Sequence, residues 1–196
     1  MSAAIGGVLV ALVLAGCTIE VDGTGGAAPG AQPPPGGPVA ERPVLASARG
    51  VVAGPSGAGV EIQVDLNEVR ASGLLMQVTF TARNLAPATE PALNPLPDAD
   101  KWQIAGSFSD GMSAGADTAD TADGVYLLDP VNGRRYLPSR TTGGACVCSS
   151  GLAASLVRPG GTEVVTATFG APPAEVTTVD VVVPGTPAFT GVQVSR

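Results

Sequence analysis

The chain contains no histidine, and that absence excludes more than any residue present. Without an imidazole there is no Ser-His-Asp triad, no Cys-His pair and no histidine metal ligand. Lysine occurs once, at Lys101 beside Trp102, and no serine stands three residues before it, so the Ser-x-x-Lys nucleophile is missing as well. Ten basic residues face 17 acidic ones for a formal net charge of −7, and the ten are scattered, which leaves no electrostatic footprint for nucleic acid. Catalysis, a cofactor and a nucleic-acid partner are therefore not expected. No apolar run reaches the roughly 20 residues that a membrane-spanning helix needs. No window longer than a turn carries a 3.6-residue apolar period, so helices are not expected either.

The first informative feature present is Leu14-Ala15-Gly16-Cys17, closing an apolar run over residues 3–15. Small residues before a cysteine at that place resemble the lipobox of bacterial lipoproteins. Residues 1–16 then read as a lipoprotein signal peptide, cleaved ahead of Cys17, rather than as a retained helix. The usual positive n-region is lacking, since no Lys or Arg precedes Cys17. A core strand at the N-terminus is the competing reading, and the Gly and Pro residues that follow argue against it. Acyl chains on Cys17, palmitate among them, would anchor the mature chain in membrane lipid. Each buried methylene adds about 0.8 kcal/mol, and two or three chains suffice where one is marginal.

Residues 17–43 are dominated by Gly, Pro and Ala and include Pro33-Pro34-Pro35-Gly36-Gly37-Pro38. Such a segment cannot bury enough apolar surface to offset its ordering entropy. It is expected to be a disordered linker, reaching on the order of 25 Å as a flexible coil and ~65 Å if its prolines keep it extended. Residues 44–196 are of a size for one domain.

Within that domain the apolar period is two. Val60, Ile62, Val64 and Leu66 alternate with Glu61, Gln63, Asp65 and Asn67. After a turn at Ala71-Ser72-Gly73, residues Leu74, Met76, Val78 and Phe80 form a second apolar face. Trp102, Ile104 and Phe108 make another, and residues 125–129 a further strand that turns through Asp129-Pro130-Val131-Asn132-Gly133 into residues 134–137. Asn-Gly there suits a hairpin because both residues tolerate positive φ. Residues 162–169, 176–183 and 189–194 read as three more strands, bounded by Pro and Gly. Short strands with turn signals between them predict an all-β, two-sheet antiparallel sandwich. Met76, Val78, Phe80, Trp102, Tyr126, Leu128, Phe169, Val179 and Val181 are its expected buried residues.

Cys146 and Cys148 are the one chemical pair in the domain. In an extracytoplasmic compartment paired cysteines are usually oxidised. Residues two apart on an extended strand have Cα atoms about 6.5 to 7 Å apart, the upper limit for a disulfide, so the backbone must bend if they bond. The flanking Gly143-Gly144 and Ser149-Ser150-Gly151 permit a bend. A Cys146–Cys148 disulfide is the expectation, with a free or intermolecular pair, or a redox or metal role, as alternatives. Two thiolates without histidine make a thin metal site. Asp117, Asp120 and Asp123 recur at a spacing of three, which does not match a calcium loop, and read as a solvated acidic loop. Arg134-Arg135 reads as a strand end in water, and Trp102 as a core residue rather than a platform for sugar.

Several of these elements occur together: Tyr126-Leu127-Leu128-Asp129-Pro130, Arg135-Tyr136-Leu137-Pro138, Cys146-Val147-Cys148-Ser149, Pro159-Gly160, Phe169, Pro172-Pro173, Val179-Asp180-Val181 and Pro184-Gly185. In this the chain resembles uncharacterised actinobacterial cell-envelope lipoproteins, some of which are joined to an OmpA-like peptidoglycan-binding domain. The resemblance covers about residues 124–194 and, loosely, 60–84. It implies an immunoglobulin-like sandwich on the cell surface and carries over no catalytic residue. No OmpA-like portion occurs in these 196 residues, which argues against direct peptidoglycan binding.

The function expected from all this is a noncatalytic structural or interaction module, lipid-anchored through Cys17 on the extracytoplasmic face of the bacterial cell membrane, with another envelope protein as candidate partner. The alternative is a thiol-dependent redox or metal-handling lipoprotein that uses Cys146 and Cys148.

Overall fold

The alternation of Val60, Ile62, Val64 and Leu66 becomes one face of a long strand in the computed structural model, which describes residues 42–53, 59–87, 102–104, 106–109 and 120–196. The expected signal peptide, nearly all of the expected linker, Cys17, Lys101 and Asp117 lie outside the described residues. Among the described residues there are ten strands and no α-helix. The strands are β1 (Ala46–Ala53), β2 (Gly59–Ser72), β3 (Leu75–Asn84), β4 (Trp102–Gln103), β5 (Tyr126–Asp129), β6 (Arg134–Tyr136), β7 (Leu156–Val157), β8 (Thr162–Gly170), β9 (Thr178–Val182) and β10 (Phe189–Gln193).

They form two four-stranded antiparallel sheets, in the orders β1-β2-β3-β8 and β10-β9-β5-β6, with a two-stranded sheet of β4 and β7. The described residues are all-β, as expected. One core serves both large sheets: Ile62, Leu66, Met76, Val78 and Phe80 come from the first, and Leu127, Val179, Val181 and Phe189 from the second. Phe80 meets Phe108 edge-on at 5.3 Å and Phe108 meets Trp102 edge-on at 5.8 Å, so an aromatic chain joins the first sheet to the small one.

Three details differ from the sequence expectation. The hairpin between β2 and β3 turns at Gly73-Leu74, with Ser72 opposite Leu75. Gly73 takes φ +58°, which a two-residue turn needs at its first position, and Leu74 is thereby left at the tip, 89% exposed, instead of on the apolar face. Tyr126 and Leu128 are only half-buried, whereas Val125 and Leu127 are fully buried. Residues 125–128 are continuously apolar, so alternation carries no phase there. The phase is set by Leu127 facing Val181 and Tyr136 across the sheet.

The third difference is the hairpin between β5 and β6. Asn132 does not take positive φ; only Gly133 does, at +63°. The four-residue loop is instead closed by Asp129, whose Oδ1 accepts the backbone N–H of Val131 and Asn132 at 3.1 and 3.0 Å while its Oδ2 accepts Asn132 Nδ2 at 2.7 Å. An acid that accepts from its own turn in this way replaces the Asn-Gly backbone chemistry.

Both margins between the large sheets are laced by backbone hydrogen bonds. On the β1 side, Val51 N donates to Gly185 O at 3.1 Å, and Ser195 continues beside β2, its N donating to Val69 O at 2.9 Å and its O accepting Ala71 N at 2.8 Å. The approach at Gly185 is so close that a Cβ on Gly50 would overlap its carbonyl oxygen. On the β8 side, the chain leaving β6 crosses over, and Ser139 N donates to Thr168 O at 2.7 Å. An open edge invites pairing with other chains, and these crossings occupy much of it.

A bulge at Asn67 interrupts the β2–β3 register. Its side chain accepts Thr81 Oγ1 at 2.8 Å and donates to Pro43 O at 3.0 Å, which ties the start of the described chain to the sheet.

Candidate functional site

Cys146 and Cys148 lie in the segment that runs from β6 along the free edge of β8. Residues 139–147 form a small hairpin of their own: Arg140 bridges Cys146, Thr141 N donates to Ala145 O at 2.8 Å, and Val147 N donates to Ser139 O at 2.8 Å. Gly144, at φ +85°, makes the tip possible. Two further bonds fix this hairpin to β8, from Thr168 N to Val147 O at 2.9 Å and from Ser149 N to Thr166 O at 2.8 Å. Ser149 Oγ also accepts Thr166 N at 2.9 Å.

The bend that a bonded pair requires is present, since the Cα atoms of Cys146 and Cys148 are 5.3 Å apart and their Sγ atoms are at disulfide distance. Both cysteines are half-buried and Val147 is 40% exposed. Cys148 packs against the core. The pair opens on a shallow hollow of about 370 Å³ whose other lining residues are Thr141, Val147, Thr166 and Thr168. Among the described residues no charged side chain lines it.

The hairpin is braced from the side by an ion pair. Arg140 reaches Asp123 at 3.3 Å, and its other guanidinium nitrogen donates to Gly144 O at 3.0 Å. Asp123 is almost fully buried and so departs from the solvated loop expected, while Asp117 lies outside the described residues. Asp120 likewise accepts the backbone N–H of Ala153 and holds the 3-10 turn at Leu152–Ala154. Asp120 and Asp123 thus have separate structural duties. Among the described residues no group of three or more Cys, Asp or Glu is placed to hold a metal ion.

The remaining candidates are placed as follows. Trp102 is fully buried, with Nε1 donating to Ser107 Oγ at 3.1 Å, which is the core role expected. Arg134 and Arg135 are both exposed, as expected of a strand end in water, and Arg135 lies over the ring of Tyr126 at 3.9 Å, a cation–π contact on the outer face of the second sheet. Asp129 has its carboxyl held below the usual range by the side-chain and backbone hydrogen bonds from Asn132, with Val131 and the charge of Arg134 adding to them. A second hollow, of about 440 Å³, lies where the β2–β3 turn meets Pro172 and Ala174. The Arg196 guanidinium on its wall is engaged by Pro173 O and Val176 O, at 2.9 and 3.0 Å.

Sequence reasoning singled out both cysteines but missed the residues that position them. Arg140, Asp123, Thr166 and Thr168 carry no local signal, because their roles depend on pairings 17 or more residues away. Comparison with protein-family models, with curated proteins and with solved structures gave no match to this chain.

Proposed function

We propose that this chain is a lipid-anchored lipoprotein on the extracytoplasmic face of a bacterial cell membrane, and that its β-domain, of immunoglobulin-like type, acts as a noncatalytic structural or interaction module of the envelope. The observation that carries the reading is Leu14-Ala15-Gly16-Cys17, followed within 30 residues by the first strand of an all-β body. The intervening Gly/Pro-rich stretch suits a tether, which lifts a body off a membrane surface without folding itself. Three aspartates among the described residues are engaged in building the fold: Asp129 closes a turn, Asp123 pairs with Arg140, and Asp120 holds a 3-10 turn. The resemblance of residues 124–194 to actinobacterial envelope lipoproteins supports the same reading.

The test is processing and fractionation of the full chain. Wild-type protein is expected in the membrane fraction, with processing blocked by globomycin, and Cys17→Ser is expected to lose both lipid and globomycin sensitivity. Recovery of Cys17→Ser in the membrane fraction, processed like wild type, would sink the proposal.

A further inference from the structure

We infer that the Cys146–Cys148 pair is a reversible thiol–disulfide exchange site, reduced by an accessible dithiol of a protein or peptide while the domain stays folded. This goes beyond the anchoring role and does not depend on it.

Three observations carry the inference. The first is how little the cross-link and the fold depend on each other. A disulfide stabilises a fold chiefly by restricting the unfolded chain, and that effect shrinks with loop length; here the sequence separation is 2, near the minimum. By linkage, a fold that gains little from the bond does little to resist its reduction.

The second is that the segment is held without the sulfurs. Val147 is hydrogen-bonded on both sides, to Ser139 O and from Thr168 N, while Ser149 N reaches Thr166 O and Arg140 spans Gly144 O and Asp123. These bonds survive reduction and keep the two cysteines at the backbone spacing that allows the bond to re-form.

The third is access. The pair opens on a shallow hollow that the described residues line with threonines and Val147, and both cysteines are only half-buried, so a thiolate can reach the bond. Cys148 packs against the core, and the attack therefore falls on Cys146.

The step balances without a cofactor. A thiolate of the partner dithiol attacks Sγ of Cys146, and the Cys146–Cys148 bond breaks with its electron pair leaving on Cys148, which takes a proton from solvent. The partner's second thiolate then attacks its own sulfur in the mixed disulfide and releases Cys146 as a thiolate, which is protonated in turn. Two electrons and two protons pass to the pair, and the partner leaves as a disulfide.

The test uses the oxidised full chain, with peptide-resolved mass spectrometry keeping Cys17 out of the count. Dithiothreitol is expected to reduce the pair in native buffer within about tenfold of its rate in denaturant, with the circular dichroism unchanged and the thermal midpoint moved by only a few degrees. A synthetic dithiol peptide should leave with one disulfide for every two thiols gained at Cys146 and Cys148. With Cys148→Ser, oxidised glutathione should form a mixed disulfide on Cys146 several times faster than it does on Cys148 in Cys146→Ser. Reduction more than about 100-fold slower in native buffer, loss of the fold on reduction, failure to oxidise the peptide, or capture favouring Cys148 would each overturn the inference. None of these readouts depends on lipid anchoring.

Discussion

The two large sheets hold together in different ways. In the first, β2 has 14 residues, β3 has 10 and β8 has 9, and they pair over nearly their full lengths. Cross-strand pairs along such ladders are the unit of sheet stability, and a long central strand collects many of them. In the second, β5 has 4 residues, β6 has 3, and β9 and β10 have 5 each, with a register shift inside β10. Strands that short are marginal by themselves. Their ends are held by side chains instead: Asp129 closes the β5–β6 loop, and Asp180 accepts Gly191 N at 2.8 Å across the shift in β10. One sheet is supported by its ladder, the other by its turns and by the core it shares with the first.

The comparison can be tested from its largest expected effect downward. Truncating Phe80 to Ala removes a fully buried ring from the middle of β3 and the edge-on contact with Phe108; a loss of about 4 kcal/mol in chemical unfolding is expected. Leu127→Ala in the second sheet should cost about 3 kcal/mol, since the buried side chain is smaller. A larger loss at Leu127 than at Phe80 would reverse the order of the two sheets.

Native-state hydrogen exchange looks at the same contrast without mutation. Amides of β2 and β3 should exchange through global unfolding, and those of β6 should exchange about 100-fold faster through local opening. Equal protection across both sheets would mean that the short strands are not held by their turns alone.

Gly50→Ala addresses the margin between the sheets. The added methyl meets the Gly185 carbonyl, a backbone atom that cannot step aside cheaply, and the expected cost is about 2 kcal/mol. A thermal midpoint unchanged by this substitution would show that the margin yields.

Tyr136→Phe should act in the opposite direction. Its hydroxyl is buried without a hydrogen-bond partner among the described residues, so deleting it removes a desolvation penalty and should raise stability by up to about 1 kcal/mol. A clear destabilisation would reveal a partner for that oxygen.

The smallest effect concerns pH. The carboxyl of Asp129 is held below its ordinary value of 3.8, so its contribution is fully present above that pH and is lost as pH falls through the lowered folded value. Asp129→Asn should therefore flatten the acid limb of the stability profile below pH 3.8. An unchanged limb would assign acid sensitivity to other carboxylates.

Legibility in the sequence followed the same division. Val60, Ile62, Val64, Leu66, Met76, Val78 and Phe80 are buried where alternation put them, because a period of two across a sheet with one face on the core admits one phase. Strand β5 gave no such phase, and Tyr126 and Leu128 proved to be the half-buried residues. The cysteine pair was visible as a pair with a bend between them. Its place on the β8 edge was not, since no local pattern reports which strand a loop will lie against.

Taken alone, the sequence was enough to determine the all-β class, the apolar face of β2 and β3, the buried state of Trp102, and the chemistry ruled out by the lack of histidine. Each of these depends on composition or on neighbours a few residues apart. Only the tertiary structure decided which turn residues took positive φ, which face of β5 turned inward, that Asp123 pairs with Arg140 rather than with solvent, and that Gly50 lies against Gly185. The last two outcomes depend on groups 17 and 135 residues apart, and their energies exist only once the chain has closed around its core.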